Sequence, residues 1–423
     1  MSKKNLIILV TLLIILFGGA IAYLFLSIKP STIVDTDTVD QDSGNPFPFG
    51  TGTSNGTGGG TGRPGTSFTS TTTPSTQTRP VLRHLSLVPV AGAGLYDSGT
   101  STQVRYIERG TGHIYQSRVE NTEPTKLSNT PIIKIYDAFW TDKNTAVIIQ
   151  KLKDDSQTID SFLVTMSNPS VLQSGSSSVS SSLSSKITSS FLGSNMQSLA
   201  LSPKKNRVTY LTPNEAGGVV GIVSQTDGSK KVQVFDSALK NWNLSWPTEN
   251  ILTFTTKPSS SAPGFLYFVS TVTNTMTKIL GGINGLTTLT NTDANKVLFG
   301  TSLGGGLTLS VYDIKNAVKQ DLSLITLPEK CVWSKKEKEV VYCGVPLSIP
   351  SDKYPDAWYQ GKVSFSDELW KINTGTGELR IVADIKELSG QDIDMTNLAL
   401  NDKETLLVFI NKQDLTLWSL ELR

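Results

Sequence analysis

The chain has 423 residues, with 38 Lys and Arg against 36 Asp and Glu, two Cys and two His. Three of the basic residues, Lys3, Lys4 and Lys29, flank an apolar segment, so the rest of the chain has no excess of positive charge. Nucleic-acid binding normally needs a concentrated basic surface, so the composition argues against a nucleic-acid partner, and so few Cys and His argue against a structural zinc site.

Residues 6–28 form a run of 23 residues without a charged side chain. As a helix, this run would be about 34 Å long at ~1.5 Å per residue, enough to cross a hydrocarbon core of ~30 Å. Residues 1–5 carry Lys3 and Lys4 and are expected to stay in the cytoplasm. We therefore predict a single-pass membrane anchor, with the rest of the chain extracytoplasmic, in the periplasm or at the cell surface.

A cleaved signal peptide is the alternative for this segment. Ala20-Ile-Ala22 resembles a cleavage site, but the apolar run continues to Ile28. The apolar core of a signal peptide usually has only ~7–15 residues, which favours the anchor.

Residues 29–80 are rich in Gly, Ser, Thr and Pro, as in the run Gly-Thr-Gly-Gly-Gly-Thr-Gly at 56–62. Such a segment cannot bury enough apolar surface to offset the entropy of ordering the chain. The sequence therefore predicts a disordered linker between the membrane and a folded domain at residues 81–423.

A phrase recurs along the predicted domain: an apolar or aromatic pair, a tight polar turn, then a run of β-forming residues. The pair ends at Trp140, Leu201, Trp246, Leu289, Trp333 and Leu400. The middle spacings are 45, 43 and 44 residues, and a period of about 40–45 residues with short strands is typical of propeller blades. Two longer spacings, of 61 and 67 residues, contain insertions at residues 174–190 and 345–363.

With a first blade starting at Leu87, the pattern predicts an all-β domain: a single β-propeller of seven four-stranded blades. The spacing also allows six or eight blades. The last blade is one strand short when the sequence ends at Arg423. A strand at residues 82–88 is expected to supply it, which closes the ring and covers a sheet edge that would otherwise be open to pairing.

Two phrases resemble the TolB-like, extracytoplasmic branch of WD40-type propellers: Leu199-Ala-Leu-Ser-Pro-Lys-Lys-Asn206 and Asp367-Glu-Leu-Trp-Lys-Ile-Asn-Thr-Gly-Thr-Gly377. The resemblance covers roughly residues 84–423, and the Trp-Asp dipeptide of the intracellular branch is absent. It implies a binding or scaffolding role at a bacterial cell envelope.

Cys331 and Cys343 flank a hairpin turn centred on Glu337, so they are expected to face each other on antiparallel strands. Facing Cβ atoms lie within ~4.5–5.5 Å, close to disulfide reach, and an extracytoplasmic location permits oxidation. We predict a disulfide; two reduced, buried cysteines are the alternative.

The insertion at residues 346–361 concentrates Pro, Trp and Tyr in a segment that must leave its blade. Tyr and Trp often anchor interfaces, because they offer a large contact area at modest entropic cost. The candidate binding residues are therefore Tyr354, Asp356, Trp358 and Tyr359. Alternatively, Trp358 and Tyr359 fold back over the ring and cap its core.

No motif selects a catalytic residue, a cofactor or a metal ion. Gly-x-Ser-x-Gly occurs at residues 52–56 and 300–304, but a nucleophile elbow needs a strand before it and a helix after it, and neither copy has both. We predict non-catalytic binding of an unidentified envelope protein or glycan. The alternatives are a structural envelope component without a ligand, and a hydrolase or lyase that uses two acidic residues in the central funnel.

Overall fold

The computed structural model describes residues 82–99, 101–118, 123–141, 145–166, 187–304 and 306–422. The predicted anchor and linker lie outside these residues. Within them, no helix is both long and apolar enough to span a bilayer.

The described residues form 28 strands in seven antiparallel sheets of four. In chain order the strands are β1 (Leu82–Ser86), β2 (Val90–Ser98), β3 (Ser101–Glu108), β4 (Ile114–Arg118), β5 (Thr125–Lys126), β6 (Ile135–Trp140), β7 (Ala146–Leu152), β8 (Ile159–Met166), β9 (Ile187–Ser194), β10 (Gln197–Leu201), β11 (Arg207–Pro213), β12 (Val219–Gln225), β13 (Val232–Ser237), β14 (Trp242–Thr248), β15 (Ile251–Thr256), β16 (Pro263–Ser270), β17 (Met276–Asn284), β18 (Thr287–Thr290), β19 (Lys296–Leu303), β20 (Gly306–Asp313), β21 (Val318–Asp321), β22 (Cys331–Trp333), β23 (Val340–Pro346), β24 (Asp367–Asn373), β25 (Leu379–Asp384), β26 (Met395–Leu400), β27 (Leu406–Asn411) and β28 (Leu417–Glu421). The helices are a 3₁₀ turn (Pro328–Lys330), α1 (Asp356–Tyr359) and α2 (Ile385–Ser389).

Each sheet is one blade of a propeller. Blades 1 to 6 are β2–β5, β6–β9, β10–β13, β14–β17, β18–β21 and β22–β25, and blade 7 combines β26, β27 and β28 with β1. The first strands of neighbouring blades contact each other, as β2 does with β6 and β10 with β14, so these strands surround the axis of the ring. The prediction of seven four-stranded blades is confirmed.

The recurring phrase lies where the sequence predicted a blade boundary. Its apolar pair ends the first strand of blades 2, 3, 6 and 7 and lies within that strand in blades 4 and 5. The β-forming run after the turn is the second strand. The second strands are covered on both faces by the neighbouring blades; all six residues of β27 are buried, as are Val147, Ile148 and Ile149 of β7. This explains why their sequences are continuous apolar runs and not alternating patterns.

The polar turn of the phrase has one conformation in blades 3, 5 and 7. The N–H groups of Lys205, Ala294 and Glu404 donate to the carbonyl three residues earlier, at 2.7, 3.0 and 2.9 Å. The same residues have φ values of 53°, 53° and 52°. This is a type I turn followed by a left-handed residue, a common connection between twisted antiparallel strands.

Acidic side chains link these turns from blade to blade. A carboxylate oxygen of Glu249 in blade 4 accepts from the Lys204 N–H of blade 3 at 3.0 Å. Glu404 in blade 7 accepts from the N–H groups of Lys335 and Lys336 in blade 6, at 2.6 and 3.0 Å. The polar turn therefore joins neighbouring blades as well as reversing the chain.

The ring is closed by β1, as predicted. Leu82 faces Leu420 and His84 faces Trp418 across the β1–β28 pair, and the His84 ring stacks on the Trp418 ring with centroids 4.0 Å apart. The predicted strand extended two residues further, to Val88. In the structure β1 ends at Ser86, and Leu87 and Val88 are exposed in the connection to β2.

The disulfide is also confirmed, since Cys331 of β22 faces Cys343 of β23 and the two are joined. The insertion boundaries need a correction. Residues 187–190 belong to β9, and the second insertion leaves its blade only after β23 ends at Pro346.

Candidate functional site

The insertion of blade 6, residues 347–366, connects β23 to β24 and reaches three other parts of one rim. Asp356 accepts from the Ser260 N–H of blade 4 at 2.6 Å. Trp358 donates from Nε1 to Asp394, just before β26, at 2.9 Å. Tyr359 donates its hydroxyl to Glu329 of the 3₁₀ turn, just before β22. The insertion is therefore tied to blades 4, 6 and 7 on the rim where the first strands begin.

The four sequence candidates divide into two buried and two accessible residues. Tyr354 and Trp358 are 1% and 4% exposed and pack with Leu327 and Phe365, so they form a small core beneath the insertion. Asp356 is half-buried, and Tyr359 is 38% exposed. Burial opposes ionisation of Asp356, but the hydrogen bonds from Ser260 and Ser259 outweigh it and lower the pKa. Of the aromatic candidates, Tyr359 is the one that a ligand can contact directly.

A buried cluster of charges, which sequence reasoning missed, holds the insertion in place. Lys330 has no exposed surface and pairs with Asp394 and, at 2.6 Å, with Asp367. Asp394 also accepts from Trp358 Nε1 and from the Phe365 N–H, at 2.9 and 3.1 Å. Burial raises the pKa of Asp367 to about 6, against the opposing effect of Lys330. Three distant segments supply these charges, so no local pattern could have indicated them.

A cavity of about 370 Å³ opens beside the insertion, and we call it the rim cavity. Residues from the first strands of blades 3 to 7 line it, together with Tyr359 and the 3₁₀ turn. The polar lining includes Ser198, Asn243, Thr288 and Asn397. It is therefore a compact polar space against the axis of the ring.

Glu329 and Tyr359 form a coupled pair in the wall of the rim cavity. Tyr359 donates to one carboxyl oxygen of Glu329, while the other carboxyl oxygen, Oε2, is buried without a hydrogen-bond partner among the described atoms. Burial raises the pKa of Glu329, with the Tyr359 hydrogen bond opposing it, and burial beside Glu329 raises the pKa of Tyr359 well above its usual value. The pair fixes the tyrosine ring at the cavity edge.

Two of the first strands that line the cavity contain a bulge with a left-handed residue. The pairing register of β10 shifts between Gln197 and Ala200, and that of β26 shifts between Thr396 and Ala399. Within these bulges Ser198 and Asn397 have φ values of 47° and 52°. Bulges of this kind commonly redirect side chains beside functional sites.

A second cavity, of about 340 Å³, adjoins the first and shares Asn397 with it. It is lined by first strands of blades 1, 2, 3 and 7 and contains Asp137. Burial raises the pKa of Asp137 to about 6, although the Ala138 N–H and Arg109 favour its ionised form. Within the described ranges, no three His, Cys, Asp or Glu side chains gather as metal ligands.

The second Gly-x-Ser-x-Gly copy has no catalytic geometry. Ser302 lies near the end of β19, and β20 follows it as the next strand of the same hairpin. A nucleophile elbow needs a helix at that point, so the copy is a β-turn sequence.

Comparison with solved structures finds other propellers. TolB from Acinetobacter baumannii aligns at 10% identity with a TM-score of 0.40, over 66% of this chain and 62% of that one, less than two thirds of its length. An oligogalacturonate lyase in complex with manganese aligns at 8% identity with a TM-score of 0.49, over 79% of this chain and 97% of that one. The propeller domain of the Trilobed protease from Pyrococcus furiosus aligns at 9% identity with a TM-score of 0.48, over 79% of this chain and 96% of that one.

No protein-family model and no curated protein matches the sequence. The chain is a seven-bladed β-propeller with TolB among its fold neighbours. Its fold follows from its own sheets, and its function has to be argued from its own site.

Proposed function

We propose that this protein is a membrane-anchored, extracytoplasmic recognition module that binds an envelope protein or glycan and does not catalyse a reaction on it. The observation that carries the proposal is the insertion of blade 6, which a buried charge cluster fixes beside a polar cavity at the axis of the ring. Propellers present their rims as rigid platforms, and preorganised loops lose little entropy on binding.

The extracytoplasmic setting is supported by the apolar run at residues 6–28 and by the disulfide. Disulfides persist in oxidising compartments and are rare in the cytosol. Alkylation of intact cells before lysis, followed by mass measurement, tests the setting: we expect no alkylated cysteine without reductant. Two alkylated cysteines would contradict an oxidising location.

The binding role can be tested by cross-linking in native membranes with the full chain as bait. Captured material would be analysed by mass spectrometry for protein and by monosaccharide analysis for glycan. Tyr359→Ala removes the accessible aromatic ring at the cavity edge, and Phe191→Ala removes an aromatic ring that is 59% exposed on β9, in blade 2.

We expect a reproducible partner whose capture falls at least about tenfold with Tyr359→Ala and not with Phe191→Ala, since aromatic anchors dominate binding energy. Equal capture by all three baits would move the site away from the insertion. Capture of nothing specific would favour a structural envelope component.

A specific observation favours one second candidate function. Two carboxyl groups of raised pKa, Asp137 and Glu329, line adjoining cavities at the axis, and a hydrolase or lyase of this kind would use an acidic pair there. Turnover of a polysaccharide in a substrate panel, abolished by Asp137→Asn, would establish this alternative. Absence of turnover in the whole panel would leave recognition as the function.

A further inference from the structure

The lining of the rim cavity is polar but almost uncharged. Apart from Tyr359 and Glu329, its hydrophilic residues are serines, threonines and asparagines. Among the described lining residues Glu329 is the one acidic group, and none is a Lys or Arg. An anionic ligand would meet no positive charge there. A cationic ligand would meet a single carboxyl group that Tyr359 already engages and whose pKa burial raises.

Two asparagine side chains in the lining are available to a ligand. Asn243 of β14 and Asn397 of β26 are both exposed, and neither amide has a hydrogen-bond partner within the part of the chain that the structure describes. Each amide offers two N–H donors and a carbonyl acceptor. Hydroxyl groups donate and accept at once, so a ligand rich in hydroxyls is the natural complement of such amides.

The backbone at Asn397 is held in a conformation that costs free energy. Its φ of 52° is in the left-handed region, which asparagine tolerates better than most residues but which glycine adopts freely. Strain of this kind tends to lie at binding sites. At Asn397 the strained backbone belongs to a residue whose side-chain amide lines the cavity without a hydrogen-bond partner among the described residues.

Tyr359 supplies the remaining element of a sugar site. Its ring is 38% exposed at the cavity edge, and its hydroxyl is fixed by Glu329. An aromatic face offers apolar contact to the C–H face of a sugar ring, and a ring that is already fixed loses little entropy on binding.

We propose that the rim cavity binds a neutral carbohydrate, with Asn243 and Asn397 hydrogen-bonding its hydroxyl groups and Tyr359 stacking on its ring. This inference rests on the recognition function proposed above and names the class of ligand. The volume of about 370 Å³ falls in the range of small-ligand sites, roughly 300–1,000 Å³, which suits a compact sugar better than an extended peptide.

The test uses the full chain, purified in a detergent without a sugar headgroup, on an array of neutral glycans and uronic-acid oligomers. Neutral glycans that bind are titrated by calorimetry against three variants. Asn243→Ala deletes one amide. Asn397→Gly deletes the other while retaining the left-handed backbone. Asn274→Gly makes the same change at φ 55°, in the exposed loop between β16 and β17.

We expect retention of neutral glycans over uronic-acid oligomers, with affinity about tenfold weaker in Asn243→Ala and Asn397→Gly and unchanged in Asn274→Gly. Thermal unfolding of each variant confirms that it is folded. No neutral glycan bound, or equal affinity in all variants, would overturn the proposal. If the membrane cross-linking still captures a Tyr359-dependent protein, the recognition function stands and the occupant of the rim is a protein.

Discussion

At the scale of single residues, Asp367 and Asp137 are two interior carboxyl groups whose pKa burial raises to about 6, and their surroundings differ. Asp367 is paired with Lys330, whereas Asp137 has no ion pair of comparable closeness among the described residues. Burying a carboxylate is costly unless it is paired or hydrogen-bonded. Asp137 therefore makes the stability of the ring depend on pH, and it does so from within the axial region.

The pKa of Asp137 is raised from 3.8 to about 6, so the folded state binds its proton more tightly than the unfolded chain does. Its contribution to stability is full below about pH 4 and is lost as the pH rises to about 6. Asp137→Asn removes this loss. Between about pH 4 and 6, we expect the free energy of unfolding of the variant to rise relative to that of the native protein by at most about 1.4 kcal/mol per pH unit. Urea unfolding at a series of pH values measures this difference.

The matched control is Asp155→Asn. Hydrogen bonds from Thr158 lower the pKa of the exposed Asp155 to about 2, which lies below the window. This variant should therefore show the same change in the free energy of unfolding between pH 4 and 6 as the native protein. The prediction fails if the free energies of unfolding of Asp137→Asn and the native protein change in parallel from pH 4 to 6. The Asp137 carboxyl group would then not be desolvated, although the structure indicates that it is.

Lys330→Met tests the buried charge cluster. The substitution retains an unbranched side chain but removes the cation that pairs with both Asp367 and Asp394. Breaking a buried pair typically costs about 3–5 kcal/mol, so we expect a loss of that order in urea unfolding. Adding Asp367→Asn and Asp394→Asn should restore part of it. A loss under about 1 kcal/mol in the single variant would contradict a charged cluster.

At the scale of elements, the repeated turn explains why the sequence repeats. The turns of blades 3, 5 and 7 reverse the chain through one left-handed residue, and the turns of blades 3, 4, 6 and 7 carry groups that contact the neighbouring blade. Local geometry and contact with the next blade thus restrict the same four or five positions. This double requirement keeps the turn recognisable while the outer strands vary.

Glu404→Ala measures the link between blades 6 and 7. The carboxylate accepts from two backbone N–H groups and from the Ser334 hydroxyl, so its removal leaves donors that only water can satisfy. We expect a loss of about 1–3 kcal/mol in the free energy of unfolding. Glu378→Ala, at an exposed position between β24 and β25, is the control and should change stability by less than about 0.5 kcal/mol. Equal effects of the two would show that the link contributes nothing.

At the scale of the whole molecule, the sequence allowed the ring to be predicted because its determinants are local. A blade boundary needs an apolar pair, a turn and a doubly covered strand, and all three lie within about a dozen consecutive residues. The disulfide followed from hairpin register around Glu337. The site was predicted only in part, because its chemistry joins segments that are far apart in the chain: Glu329 meets Tyr359, and Lys330 meets Asp367 and Asp394.

Closure of the ring is the feature on which the whole molecule depends, and it can be tested by removing β1. Deleting residues 82–86 exposes the edge of β28 and uncovers Trp418, on which His84 stacks. The loss of a paired strand should lower the thermal unfolding midpoint by about 10 °C or more and promote aggregation through the open edge. Deleting five residues of the predicted linker, 56–60, should leave the midpoint unchanged. An unchanged midpoint after removal of β1 would mean that the other 27 strands hold the ring without the latch, and that β1 covers blade 7 without closing it.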